Sequence, residues 1–141
     1  METSSVRRHR SFRFAPETLA RLERRARESR SSQTALVERY VEEGLRHDKH
    51  PGIVFVDGPA GRRARVAGTG LDVWEVVVTV QDNDGSSAGA AAYLAVPARF
   101  VLAALGYYGD YPYEIDAWIA ENDRLYEEEL QRQRRVAEAL E

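Results

Sequence analysis

The stretch Ser11-Phe12-Arg13-Phe14-Ala15-Pro16-Glu17-Thr18-Leu19 limits what this chain can fold into more than any other. From Ser11 to Phe14 polar and aromatic side chains alternate, so Phe12 and Phe14 share one face of an extended segment while Ser11 and Arg13 share the other. That pattern predicts a short strand with one dry side. Pro16 and Glu17 then suit a helix start: proline's missing N–H has no partner in the first turn anyway, and a carboxylate there meets the positive end of the helix dipole. A strand this short is not stable alone, because its N–H and C=O groups and its two phenyl rings need covering. The simplest cover is the same strand of a second copy.

The residues that follow fit that expectation. A first helix over residues 17–28 places Leu19, Leu22 and Ala26 on a narrow stripe, with Arg21, Arg24, Arg25 and Glu28 elsewhere. Ser29-Arg30-Ser31-Ser32-Gln33-Thr34 breaks the helix and offers hydroxyls to cap the next one, Ser32 being the expected cap. A second helix over residues 33–46 carries Leu36, Val37, Tyr40, Val41 and Leu45 on a broad apolar face. About fifty residues with a core this thin are marginal as a monomer. Phe12, Phe14, Leu36, Val37 and Tyr40 are therefore the expected dimer core. Residues 1–6 read as a disordered arm, and His47 and His50, either side of Asp48 and Lys49, as a linker without enough neighbouring ligands for a metal.

This strand-helix-helix order resembles the ribbon-helix-helix family of Arc, MetJ and CopG type repressors over about residues 7–46. The resemblance implies that two chains pair their strands into a ribbon that enters the major groove of a double-stranded DNA operator. It makes His9, Ser11 and Arg13 the base-reading positions; an Arg fork can bond both guanine acceptors and a Ser hydroxyl can serve in either sense. It also implies phosphate anchoring at the start of the second helix, near Ser31, Ser32 and Gln33. Arg7, Arg8 and Arg10 either contact the DNA backbone or form a solvated tail.

Past residue 50 the character changes. Up to His50 the chain has 12 Lys+Arg against 8 Asp+Glu; from Pro51 on it has 8 against 15, the two balances of +4 and −7 giving the net −3. A basic front suits a polyanion, an acidic rear something else. Ile53-Val54-Phe55-Val56 and Arg63-Ala64-Arg65-Val66 flank a Gly/Pro loop and predict a hairpin. Asp72 and Glu75 have capping-box spacing, which favours a helix through Val73, Val76, Val77 and Val80 even though Trp74, Val76, Val78 and Val80 alternate as a strand would. A short helix over 88–94 and another from Pro97, with Phe100, Val101, Ala104, Leu105 and Tyr108 as its apolar stripe, complete a helix-turn-helix pattern of winged-helix or homeodomain-like type.

His50-Pro51-Gly52-Ile53, Gly68-Thr69 ahead of Val73-Trp74, Ala104-Leu105 with Tyr107-Tyr108, and Glu114-Ile115-Asp116-Ala117-Trp118-Ile119 resemble the domain-of-unknown-function group four-three-three over about residues 50–122. Members resemble VapB-type antitoxins encoded beside PIN-like ribonuclease toxins, often as the tail of a ribbon-helix-helix protein. The helix from Pro97 to Tyr108 has Arg99 as its only charge, and a groove-reading helix presents several polar or basic groups. The second module is accordingly expected to make protein contacts or to dimerise. Pro112 opens a final helix, with Trp118, Ile119, Leu125, Tyr126 and Leu130 as an apolar stripe suited to a toxin's groove. Beyond Leu130 the tail is either helical when bound or a fraying end.

The expected architecture is mainly α with short β elements: a ribbon-helix-helix dimerisation module over 1–49, a small hairpin plus helix-turn-helix domain over 50–122, and a helical tail over 123–141. The expected function is a DNA-binding antitoxin that represses its own promoter and neutralises a PIN-like ribonuclease, as a homodimer or higher even oligomer. The alternative is a stand-alone dimeric transcriptional regulator whose C-terminal domain dimerises or senses a ligand. With no cysteine, no disulfide, thiolate zinc site or thiol nucleophile can form. The three histidines lie in the first fifty residues without a paired base, and no glycine loop has phosphate-cradling spacing, so neither catalysis, metal nor cofactor is expected. No run approaches the ~18 apolar residues of a membrane span, and no apolar run follows the basic start, so a cytoplasmic, nucleoid-associated protein is expected.

Overall fold

The computed structural model describes residues 5–141, which form six helices and one two-stranded antiparallel sheet. The arm expected over residues 1–6 falls partly outside the described residues. Two compact units divide the chain, one ending at Glu42 and the other running Glu43–Glu141.

In the first unit, residues 5–15 are non-helical and lead into α1 (Pro16–Ser29), with proline in its first turn followed by Glu17. Arg30 closes α1 in the left-handed conformation (φ 53°), and the Ser31 N–H reaches back to the Ala26 carbonyl at 3.0 Å. The Ser32 hydroxyl accepts the Ala35 N–H at 3.0 Å, capping α2 (Gln33–Lys49) as expected. Among the described residues of this unit only Ala26 and Leu36 are buried. Leu36, expected to wait for a second chain, is thus already covered within its own.

α2 runs on past the expected end at residue 46. Arg46, His47 and Lys49 occupy its last turn, where cations meet the negative end of the dipole. The linker expected around His47 and His50 is instead ordered: the His47 Nδ1 lies 2.9 Å from the Ile53 carbonyl and the His50 Nε2 2.7 Å from Asp110. This is why the units meet before Glu43 rather than after residue 49: the end of α2 is held by the second unit.

That second unit begins with the hairpin of β1 (Ile53–Val56) and β2 (Arg63–Val66), Ile53 opposite Val66 and Val56 opposite Arg63. Gly58 and Gly61 exchange backbone hydrogen bonds to close the turn, and a Cβ on Gly58 would run into the Arg63 guanidinium. α3 (Val73–Asp82) buries Val73, Val76, Val77 and Val80. Each such side chain contributes about 1.5–3 kcal/mol on leaving water, more than the rotamer penalty of a β-branched residue in a helix. Asp72 stands at the N-cap position but does not cap; its carboxylate accepts Arg63 Nε at 2.5 Å and Arg65 Nε at 3.0 Å, so the expected capping box is replaced by an ion cluster.

α4 (Ser87–Leu94) is capped by the Ser86 hydroxyl, which accepts the Gly89 N–H at 2.9 Å, and turns through Ala95 into α5 (Ala98–Asp110). Val101, Ala104 and Tyr107 are the buried residues of α5, Tyr107 being one the expected stripe left out, while Phe100, Leu105 and Tyr108 pack partly buried against the same core. α6 (Pro112–Ala139) continues without a break through the boundary expected at residue 122. Ile115 is buried and Ile119 packs against the same core, which α3, α4, α5 and both strands share. No helix among the described residues is long and apolar enough to cross a membrane.

Candidate nucleic-acid interface

Among the described residues of the first unit, four of the ten arginines precede the first carboxylate, Glu17. Residues 5–15 carry Arg7, Arg8, Arg10 and Arg13, with no Asp or Glu among them, and every one of these positions is exposed. His9 Nε2 and Ser11 Oγ lie 3.1 Å apart, which places the first two expected base-reading side chains together, as the two-residue period of an extended chain requires. Arg13 is exposed two residues further on. Ser11–Phe14 is not a strand and has no ladder partner among the described residues, so the expected ribbon is not formed within one chain.

Phe12 is 73% exposed and Phe14 46%. Behind them the helices leave an apolar cavity of about 350 Å³ lined by Phe14, Leu22, Val37, Tyr40 and Val41, with Arg21 and Arg25 among its walls. A second hollow of about 810 Å³ runs between the arm, from Arg7 to Phe14, and α2 at Val37 and Val41. Phe14, Val37 and Tyr40 from the expected dimer core are thereby brought together, and Phe12 joins them through the larger hollow. Leu22 and Val41 belong to the same surface although they were not expected as dimer contacts; their places on the apolar stripes of α1 and α2 were the signal. Arg39 adds an unforeseen feature: its Nε is buried without a hydrogen-bond partner, and its guanidinium carbon lies 5.1 Å from the Tyr40 ring centroid.

The remaining expected contacts divide by use. Arg7 pairs with Glu38 at 2.6 Å, both side chains well exposed, a pair worth at most about 1 kcal/mol and readily exchanged for a phosphate. Arg8 and Arg10 are exposed. Ser31 donates weakly to the Ser29 carbonyl at 3.4 Å and Ser32 is engaged in capping, while Gln33 opens α2, whose first N–H groups have no intrahelical acceptor.

The second unit holds a denser polar cluster. The Tyr107 hydroxyl donates to Glu114 Oε2 at 2.6 Å, and Arg46 Nη1 donates to both the Tyr107 oxygen and Glu114 Oε1 at 2.8 Å. The Arg46 guanidinium also lies 4.0 Å over the Tyr111 ring. Burial first, and the Glu114 carboxylate second, push the Tyr107 phenol well above its ordinary range. Lys49 and His50 hold the Asp110 carboxyl below the usual carboxylate range. Arg62 is bonded to Glu43 through both nitrogens of its fork. These contacts fasten the last turns of α2 to the hairpin and to α5 and α6, and none was foreseen, because partners 19 to 68 positions apart leave no local pattern. No cluster of three or more His, Asp or Glu suited to a metal occurs among the described residues.

The five side chains expected to grip a toxin separate along α6. Trp118 is half-buried against Gly61 of the hairpin turn, and Ile119 packs on the core of its own unit. Leu125 and Tyr126 are exposed and Leu130 is half-exposed. Trp118 and Ile119 are therefore structural, leaving the distal residues as the accessible part of the stripe. The chain matches no protein-family model, no curated protein and no solved structure.

Proposed function

We propose that this chain is a dimeric DNA-binding repressor of ribbon-helix-helix type that acts as the antitoxin of a PIN-like ribonuclease. The observation that carries the DNA reading is the uncovered apolar surface of Phe12, Phe14, Leu22, Val37, Tyr40 and Val41 directly behind an extended, wholly basic arm. A second copy placed over that surface supplies the missing ladder for Ser11–Phe14 and directs His9, Ser11 and Arg13 of both arms to one side. Over residues 5–42 there are ten Arg against five Glu, a net +5 that favours a polyphosphate.

The toxin-binding half of the proposal rests on α6, whose exposed Leu125, Tyr126 and Leu130 present an amphipathic face to a partner. A second reading, a stand-alone regulator whose C-terminal unit self-associates, is favoured by the packing of Trp118 and Ile119 inside their own unit. Co-purification with the product of the neighbouring reading frame separates the two. For the DNA-binding role the test is Arg13→Ala. Losing one bidentate base contact costs about 1–3 kcal/mol, and twofold symmetry applies the loss twice. The variant is expected to stay folded and dimeric while its preference for operator over random DNA falls at least tenfold in a gel-shift titration. An unchanged preference would remove the arm as the reader.

A further inference from the structure

Residues 131–141 are exposed throughout, and Leu125 and Val136 are 45% and 55% exposed on the same helix. Numbered in sevens, the distal half of α6 puts Asn122, Glu129 and Val136 at one inner position and Trp118, Leu125, Arg132 and Ala139 at the other, so that from residue 122 on Leu125, Val136 and Ala139 are its apolar inner residues and Glu129 and Arg132 its charged ones. Its charges come in two blocks, Glu127-Glu128-Glu129 and then Arg132, Arg134 and Arg135. The acidic block and the basic block lie on opposite sides of a point between Leu130 and Gln131, and Leu125 and Val136 are equidistant from it.

From this we infer that the distal half of α6 pairs antiparallel with α6 of a second copy. The proposal takes up the self-association reading of the C-terminal unit and does not depend on DNA binding by the arm. A twofold axis through that midpoint sets Leu125 against Val136 of the second copy, Glu129 against Arg132 and Asn122 against Ala139, each layer joining one inner position to the other as antiparallel coils do. On the flank Glu128 meets Arg135 of the second copy, twice by symmetry. The parallel arrangement fails on the same residues, since it stacks the glutamate block on itself and the arginine block on itself. A partner of a single charge sign would leave one block facing its own sign. Within one chain Arg132 holds Glu129 at 2.6 Å, and Arg124 holds Glu121 at 2.6 Å and also Glu128, so the helix is kept regular by its own charges until the copy arrives. Eighteen or so residues of unsupported helix are marginal in water, and pairing supplies the missing burial.

The absence of native cysteine makes the register directly readable. Leu125 and Val136 are about 16 Å apart along one helix, too far to bridge within a chain, but across the proposed layer their Cα atoms fall in disulfide range. Full-length protein carrying Leu125→Cys and Val136→Cys, oxidised in a glutathione buffer, is expected to run predominantly as a covalent dimer. Either substitution alone should cross-link at least tenfold less. Equal cross-linking by Leu125→Cys alone would mean parallel or random contact and would overturn the proposal. Free thiols in the double variant, with helicity unchanged by circular dichroism, would overturn it as well and leave the face to a different protein. In the double-cysteine background Glu128→Arg or Arg135→Glu alone should slow cross-linking roughly tenfold, and the two together should restore it; failure to restore would exclude this register. Arg13→Ala should leave cross-linking unchanged, so loss of α6 pairing and loss of DNA reading are distinguishable outcomes.

Discussion

The second unit closes a core within one chain, whereas the first leaves most of its apolar side chains uncovered. Around Tyr107, Val73, Val76, Val77 and Val80 of α3, Ala90 and Ala91 of α4 and Ile115 of α6 are buried, and the Tyr107 hydroxyl is bonded to Glu114 and Arg46. In the first unit the side chains of comparable size, Phe12, Phe14, Tyr40 and Val41, are exposed. The contrast separates two uses of hydrophobicity. One unit uses its apolar residues for its own stability, and the other leaves them open, on the proposed reading for a second copy, beside the arm where DNA is proposed to bind.

The largest effect expected from breaking that contrast is Tyr107→Ala. It removes a fully buried ring and leaves Arg46 and Glu114 without the hydroxyl between them, a loss of about 3–5 kcal/mol. Thermal unfolding should show the second unit melting early at every protein concentration. Phe14→Ala should do the reverse: the second unit melts as before while the first becomes more dependent on concentration, as a dimer interface requires. If both variants shift one common transition, the two units are not separate folding bodies.

The same phenol gives a pH test. Its folded pKa is raised above the unfolded value near 10, so the stability it contributes is fully present below about pH 10 and is lost as pH rises above that toward the folded value. Alkaline titration followed by tyrosinate absorbance should show Tyr107 ionising last, together with unfolding of the second unit. The Tyr107→Phe variant should lack that final step. Ionisation of all seven tyrosines before any loss of helicity would contradict the buried hydrogen bond to Glu114.

A smaller loss is expected at Asp72, the one buried carboxylate among the described residues. Asp72→Asn keeps the shape but leaves Arg63 and Arg65 facing each other without a counter-charge. Both guanidinium groups remain partly solvated, so the cost is about 1–3 kcal/mol rather than that of a fully buried orphan charge. Denaturant titration should register it in the second unit and leave self-association of the first unchanged.

Local chemistry was legible in the sequence; long-range pairing was not. Pro16, Ser32, the Gly/Pro hairpin loop and Pro112 marked boundaries because each acts on its own backbone, whereas the valines of α3 fitted helix and strand alike and were assigned to a helix on a capping box that does not form. Asp72 shows where such reasoning stops: its position before a helix and the hairpin are both visible, but not that Arg63 and Arg65 of β2 reach the start of α3 and claim its carboxylate. The end of α2 is a similar case, since Arg46 and His50 find Glu114, Tyr107 and Asp110 only after the second unit has folded. For the candidate interface, the alternation in Ser11–Phe14 placed His9, Ser11 and Arg13 on one face, and the uncovered rings are consistent with it. Trp118 and Ile119 were assigned to a partner because an amphipathic stripe looks the same whether its own domain or another molecule covers it.

The smallest expected effect lies at the two helix ends, one in each unit, where a residue with a Cβ adopts the left-handed conformation. Arg30 ends α1 at φ 53° and Ala95 ends α4 at φ 56°. Glycine would relieve the contact between Cβ and the backbone carbonyl, at the cost of extra freedom in the unfolded chain, so the net gain is about 0.5–1 kcal/mol at either site. In Ala95→Gly that gain should appear in the denaturant midpoint of the second unit at any protein concentration, because its core is complete in one chain. In Arg30→Gly the helix end is steadied in a unit whose folding is proposed to depend on a second copy, so the gain should appear as tighter self-association at a fixed denaturant concentration. Arg30 also stands one residue before Ser31 at the proposed phosphate anchor, so the same variant loses a positive charge there. It should bind all DNA sequences slightly less well, with a shallower salt dependence and an unaltered preference for the operator. A changed preference would place Arg30 among the base-reading groups and would move the DNA-contacting surface from the arm toward the turn between α1 and α2.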